Sequence, residues 1–317
     1  MDSFLDFEKD ISDLNGKIKE LRHLVSSGDT NVAEELVRLE ASAAQLLRQT
    51  YDKLTPWQKA QVARHPERPH FSDYARVLLS EFTPLAGDRT YAEDAAILGG
   101  LGRFEGRTVV AIGHEKGEGT EGRVDHNFGM AHPEGYRKAV RLFELADRFG
   151  IPVLTFIDTP GAYPGVEAEE RGQAEAIARA IETCLGIDVP VISIIIGEGG
   201  SGGAIALGVA DRILMLGYAI YSVISPEGCA SILWRSSERS RDAAEMLRMT
   251  SQDMLELGII DEAVEEPIGG AHRFPEETIE LVGRSIGRHL LELEGEGRSS
   301  DRRVKRRQKF IDMGTSL

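Results

Sequence analysis

From residue 11 to residue 46 the apolar positions fall three and four apart: Ile11, Leu14, Ile18, Leu21 and Val25, then Val32, Leu36, Leu39, Ala43 and Leu46. That spacing puts each set on one stripe of a helix, so two amphipathic helices are expected, parted by the stop-and-cap run Ser26, Ser27, Gly28, Asp29, Thr30, Asn31. Each helix holds too few heptads for a long coiled coil. An antiparallel hairpin that docks its apolar face on the body or on a partner fits better. Residues 55–86, interrupted by Pro56, Pro66, Pro69 and Pro84, read as a linker with short helices.

From residue 107 the rhythm changes to short β-branched runs, at 108–112, 152–157, 189–196, 212–216 and 218–224. Helical patterns at 133–149 and 167–185 separate the first three, and a further strand is expected at 259–264. Continuous apolar strands alternating with helices predict α/β architecture with a buried, mostly parallel sheet and right-handed crossovers. A helix over 275–293, a glycine-rich break and a basic tail complete the chain. The expected division is 1–55 helical hairpin, 56–106 connecting segment packed on the core, 107–295 α/β domain and 296–317 basic tail.

Composition narrows the function. With 317 residues and 41% hydrophobic content the chain can bury a sizeable core, and Lys+Arg 37 against Asp+Glu 52 give a net charge of −15. So acidic a chain is a poor general nucleic-acid binder, because phosphate neutralisation needs a basic face. Cys184 and Cys229 stand alone without a CxxC pair, which argues against a disulfide framework and a zinc site built from this chain. The sequence starts without a basic, then apolar, leader and has no run of 18 apolar residues. A cytoplasmic location is the expectation.

The chemistry is concentrated in two glycine turns. Gly197, Glu198, Gly199, Gly200, Ser201, Gly202 and Gly203 follow the strand at 189–196 directly, giving backbone that a ligand can approach closely. Three chemistries use such a turn. A dinucleotide fingerprint would also need a full helix and an acidic residue about 20 positions on, and here only about eight residues precede the next strand. The run 199–203 matches the G-x-S-x-G elbow of serine hydrolases, with Asp261 and His272 downstream, although Asp261 falls in the predicted strand and His272 in a glycine-rich loop. The third use is an oxyanion hole, in which fixed backbone N–H groups meet a developing negative charge. The other turn, Asp158 to Gly165, has the Asp-Thr-Pro-Gly of a GTPase element but no accompanying phosphate loop. Following neighbouring parallel strands, the two turns are expected to face one crevice.

The segments DTPGAYPGVEAEERGQAEAIA (158–178), GEGGSGGAIALG (197–208) and YSVISPEGCASILW (221–234) closely resemble the alpha subunit of the carboxyltransferase of multi-subunit acetyl-CoA carboxylase. LAGDRTYAEDAAILGGLGRFEGR (85–107), HNFGMAHPEGYRKA (126–139) and EPIGGAHR (266–273) extend the likeness over almost the whole chain. The resemblance implies a crotonase-like (ClpP/crotonase) fold of repeated ββα units behind the N-terminal hairpin. It implies an α2β2 heterotetramer that moves a carboxyl group from carboxybiotin, borne on the biotin carboxyl carrier protein, to acetyl-CoA, giving malonyl-CoA for fatty acid synthesis. Biotin carboxylase belongs to the larger complex, and zinc is expected only in the beta subunit. By motif, the backbone N–H groups of Gly202 and Gly203 hold the biotin urea oxygen, while Gly199, Gly200, Ser201, Pro160, Gly161, Ala162 and Tyr163 line the biotin side.

Other ionisable residues have plainer expected roles. His114, His126, His132 and His272 are expected to be solvated or to cap elements, and Glu198 to bond nearby backbone. Ser201 fills space between glycines, and Tyr163 either stacks on biotin or packs. The basic residues of 298–309 are expected to lie on an acidic partner surface or in solvent rather than on RNA. A serine hydrolase using Ser201 and a non-catalytic scaffold are the competing readings.

Overall fold

A computed structural model of the chain describes residues 4–25, 30–296 and 299–315. Helices α1 (Lys9–Val25) and α2 (Thr30–Tyr51) pack against each other as the expected hairpin, while residues 26–29 of the predicted turn, and Arg298, lie outside the described residues. Then come α3 (Pro56–Ala63), α4 (Phe71–Leu78), β1 (Ser80–Pro84), β2 (Ile97–Phe104), β3 (Arg107–His114), α5 (Gly119–Asp125), α6 (Pro133–Phe149) and β4 (Val153–Thr159). The chain continues through α7 (Val166–Glu170), α8 (Gln173–Gly186), β5 (Val191–Gly200), α9 (Ser201–Gly208), β6 (Arg212–Leu216), β7 (Ile220–Ser222) and α10 (Pro226–Trp234). It ends with α11 (Ser240–Met246), α12 (Ser251–Glu256), β8 (Glu262–Val264), α13 (Pro275–Gly295) and α14 (Ser299–Asp312).

One sheet runs in the order β1-β2-β3-β4-β5-β6-β8, with β7 paired to the end of β5. From β3 to β8 every pairing is parallel, as the strand-helix alternation predicts. Strand β4 is buried along its whole length and β5 everywhere but Gly200, which is why both read as unbroken apolar runs. Helix α6 turns Tyr136, Ala139, Leu142, Phe143 and Ala146 inward, an i, i+3, i+7 pattern that buries one stripe against the sheet.

Three expectations change. The segment at 56–106 is more than a connection, because β1 and β2 join the sheet antiparallel at the β3 edge. Gly99, Gly100 and Gly102 interrupt the side-chain pattern of β2 and hide it from periodicity. The single helix predicted over 167–185 is split into α7 and α8 at Gly172, whose φ of +84° is left-handed. The tail is not simply solvated: α14 packs on the chain's own body through Arg306, which is 1% exposed and paired with Asp211, while Arg303, Lys305 and Arg307 keep the exposed face that was expected.

The hairpin is clasped to the body by a buried carboxylate. Glu8 accepts from the Tyr51 hydroxyl at 2.6 Å and the Leu5 N–H at 2.9 Å, and pairs with Arg273 at 2.9 Å. Burial opposes its charge, but the bonds from Arg273 and Tyr51 outweigh it and hold the carboxyl below its ordinary 4.5. A lowered folded pKa contributes stability that is present above the unfolded value and is lost as pH falls through the folded one. Protection of α1 and α2 from hydrogen exchange should therefore drop on acidification below about 4.5. Glu8→Gln should lower that protection by about 1–3 kcal/mol at neutral pH and flatten its acid dependence.

Candidate active site

Because β4 and β5 are parallel neighbours, the turns that follow them open at the same sheet edge. The turns touch. A Cβ on Gly200 would strike the Pro160 carbonyl, and one on Gly203 would lie 2.8 Å from Gly161 C and 2.9 Å from Ala162 N. Only glycine at these positions lets the two backbones close on each other. Between them lies a cleft of about 460 Å³ lined by Pro160, Gly161, Ala162, Tyr163, Ser201 and Gly202. Gly199 and Gly200 line a small adjoining pocket with Ser222 and Ser225, and Gly203 is buried behind the cleft wall.

Helix α9 begins at Ser201, so its first N–H groups, those of Gly202 and Gly203 included, have no acceptor within the helix. They carry the positive end of the helix dipole. The opposite turn is braced from within, since the Thr159 hydroxyl accepts from the Gly161 N–H at 3.0 Å and donates to the Gly161 carbonyl at 2.7 Å. Gln173 Nε2 then donates to Ala131 O at 2.8 Å and Tyr163 O at 3.0 Å, and the Tyr163 N–H donates to Ala131 O. The Tyr163 ring stacks on His132 at 4.1 Å between centroids while lining the cleft.

The hydrolase constellation is not assembled. Ser201 sits in left-handed backbone, φ +50°, at the cleft, but Asp261 accepts from the Ile213 N–H at 2.6 Å and from Lys309. His272 stacks on His65 at 3.8 Å, its Nε2 2.8 Å from Arg273 Nη1. Burial, with His65 and Arg273 beside it, pushes its pKa down to about 2. Of the other histidines expected to be solvated or capping, His126 lies 2.8 Å from the Gly122 carbonyl, whereas His114 is fully buried at the end of β3, its pKa lowered by burial to about 4.

Glu198 departs from its expected backbone role. Its carboxylate takes Arg64 Nε at 2.6 Å and Lys116 Nζ at 3.0 Å, and its pKa is lowered because these two cations outweigh burial. Lys116 also reaches Asp158 at 2.6 Å, and Arg64 reaches Glu227 at 2.6 Å. Sequence reasoning missed Lys116, Arg64 and Gln173, and it placed Asp158 at the head of its turn without foreseeing the ion pair. Lys116 was accessible to the sheet-edge argument, for it follows β3, the parallel neighbour of β4.

Comparison with known proteins places this geometry in a family. The family described as acetyl co-enzyme A carboxylase carboxyltransferase-like matches residues 4–314. The chain belongs to the acetyl-CoA carboxylase carboxyltransferase family. Among similar curated proteins is the acetyl-coenzyme A carboxylase carboxyl transferase subunit alpha of Rhodospirillum centenum, 64% identical over 311 residues and covering 98% of both chains. The same subunit of Paramagnetospirillum magneticum is 62% identical over 310 residues, again covering 98% of each. Among solved structures, transcarboxylase 12S matches with TM-score 0.53 and 19% identity over 66% of this chain and 40% of that one. A Pseudomonas malonate decarboxylase hetero-tetramer matches with TM-score 0.54 and 16% identity over 67% of this chain and 85% of that one. The fold is thus the crotonase-like carboxyltransferase fold, and the chain is a transferase subunit of biotin-linked acetyl-CoA carboxylation with a beta subunit as its partner.

Proposed function

We propose that this chain provides the biotin half of the carboxyltransferase site, with the Gly202 and Gly203 amides as the oxyanion donors. The observation that carries the reading is the close backbone contact at Gly203, where the first turn of α9 meets the main chain of residues 161–162 with only the Tyr136 hydroxyl beside it. The cradle suits a flat, uncharged ring bearing one carbonyl oxygen, because its donors are main-chain N–H groups. When bound, carboxylated biotin supplies the carboxyl group. This chain's own part is to hold the urea oxygen as negative charge builds there, and each such donor is worth about 2.7–4 kcal/mol of transition-state stabilisation. Pro160, Gly161, Ala162 and Tyr163 form the facing wall, with Gly199, Gly200 and Ser201 beside the donors, aligning the ring and excluding water.

The beta subunit completes the site in an α2β2 assembly, carrying the zinc and the thioester side. The biotin carboxyl carrier protein delivers the substrate, and biotin carboxylase charges it, in the cytoplasm. Exposed apolar side chains support a covering partner: Val223 is 72% exposed beside the cleft, and Ile232 and Leu233 stand out from α10. Among the described residues no helix is long and apolar enough to cross a membrane.

The test is reconstitution. Carboxyl transfer between malonyl-CoA and biocytin should require both subunits, and full turnover by this chain alone would overturn the half-site reading. A fluorophosphonate probe should leave Ser201 unlabelled and the assembled enzyme active, since neither Asp261 nor His272 is available to it. Labelling at Ser201 with loss of esterase activity in Ser201→Ala would establish the hydrolase instead.

A further inference from the structure

Below the two turns lies an ion network that the oxyanion chemistry leaves unexplained. Asp158, at the end of β4, accepts at Oδ1 from the Glu198 N–H at 2.8 Å and from Lys116 Nζ at 2.6 Å. The same ammonium reaches the Glu198 carboxylate at 3.0 Å, whose other oxygen takes Arg64 Nε at 2.6 Å. Arg64 in turn bonds Glu227 in the first turn of α10. The segment after β3, the ends of β4 and β5, the end of α3 and the start of α10 are thereby joined through charged side chains within one connected group.

Its placement is tight. Asp158 stands two residues before Pro160 and Glu198 four before Gly202, so the clamp grips both turns at their roots. A Cβ on Gly197 would strike the Asp158 carboxylate, and one on Gly129 would lie 2.9 Å from Lys116 Cγ. The lysine stem and the carboxylate are both confined. The Lys116 side chain is 16% exposed and that of Asp158 4%, so the pairing is only weakly screened by water.

We propose that Lys116 is a positioning residue for carboxyl transfer: by binding Asp158 and Glu198 together, its ammonium fixes the two glycine turns in the geometry that aims the Gly202 and Gly203 amides at one oxygen. The inference rests on the biotin-side reading above. It adds that convergence of the donors depends on one cation of this chain that never touches the substrate. Without that cation two carboxylates confront each other, Glu198 keeping Arg64 and Asp158 keeping only the longer-range pull of Arg68, and their repulsion spreads the turns.

The experiment uses the assembled enzyme with malonyl-CoA and biocytin. Lys116→Met should lower kcat by about 100-fold, the usual scale for misplacing reacting groups by about an ångström. KM for malonyl-CoA should stay within about twofold, because the thioester lies on the partner. The variant should recover relative to wild type as pH falls from 8 to 6, since a carboxyl raised by its like-charged neighbour takes up a proton and bonds the other. Taking the ratio to wild type cancels other titrations around the 200 Å³ cavity: His65 and His70 line it, His114 lies beside Asp158 and is already neutral, and Arg68 and Tyr74 act on Asp158 from α4 and its approach.

The double variant Lys116→Met/Asp158→Asn should regain most of the lost kcat and lose the pH dependence, since the Asn amide can donate to Glu198. If Lys116→Met does not assemble, this double variant carries the test alone, and an activity as low as that of Gly203→Ala overturns the proposal. So does a kcat within about threefold of wild type in Lys116→Met, or a loss that is flat in pH and follows dissociation of the complex. Gly203→Ala measured in parallel separates the two claims: wild-type activity there defeats the biotin-side reading, whatever Lys116 does.

Discussion

Replacing Gly203 with alanine in the assembled enzyme is expected to lower kcat for carboxyl transfer by about 100- to 1,000-fold, the scale of losing one oxyanion donor. The new methyl would meet Gly161 C at 2.8 Å, Ala162 N at 2.9 Å and the Tyr136 hydroxyl at 3.0 Å. Two of those atoms belong to the facing backbone and cannot swing away as the end of a flexible side chain would. One turn must move, and with it the direction of the Gly203 amide. Gly202→Ala is the control, because a Cβ there finds nothing nearer than Ile177 at 3.6 Å and the amide keeps its place. Its loss should be clearly smaller. The comparison is read from steady-state kinetics of the complex, with circular dichroism and subunit stoichiometry confirming assembly. Equal losses at 202 and 203 would mean that side-chain bulk in the cleft matters and donor geometry does not.

Arg306→Met should be the most destabilising substitution in the C-terminal helix, by about 3–5 kcal/mol, the range for removing one partner of a buried ion pair. The guanidinium bonds both Asp211 oxygens at 2.9 and 2.7 Å, and also the carbonyls of Cys184, Ile187 and Val189. Its loss strands a carboxylate and three carbonyls in the interior. Asp211 has a further bond from the Val191 N–H at 2.8 Å, so the damage reaches the start of β5. Equilibrium urea unfolding of the purified chain checks the figure, and a change below about 1 kcal/mol would show that α14 is held by its apolar contacts instead.

These two residues mark what the chain reveals by pattern and what it does not. The strands at 152–157 and 189–196 are legible because burial on both faces forces an unbroken apolar run, and their alternation with helices dictates a parallel sheet. From that alone the two glycine turns had to open at one edge, and Gly203 follows. Arg306 was illegible because pattern reasoning assigns a basic run to solvent or an acidic partner. Only the fold brings Asp211 and the three carbonyls to one point. Lys116 lay between these cases. Its position after β3 was predictable, but its partners Asp158 and Glu198 come from two other strands, and a charge cluster assembled across strands has no period along the chain. Strands β1 and β2 were lost for a different reason, since glycines in β2 erase the alternation that would have announced it.

The most direct measurement is a crystal structure of the assembled enzyme with biotin bound. The ureido oxygen should lie about 2.7–3.1 Å from the amide nitrogens of both Gly202 and Gly203, with the ring against residues 160–163. An oxygen bonded to other groups, or a ring seated away from the bend at the start of α9, would contradict the account.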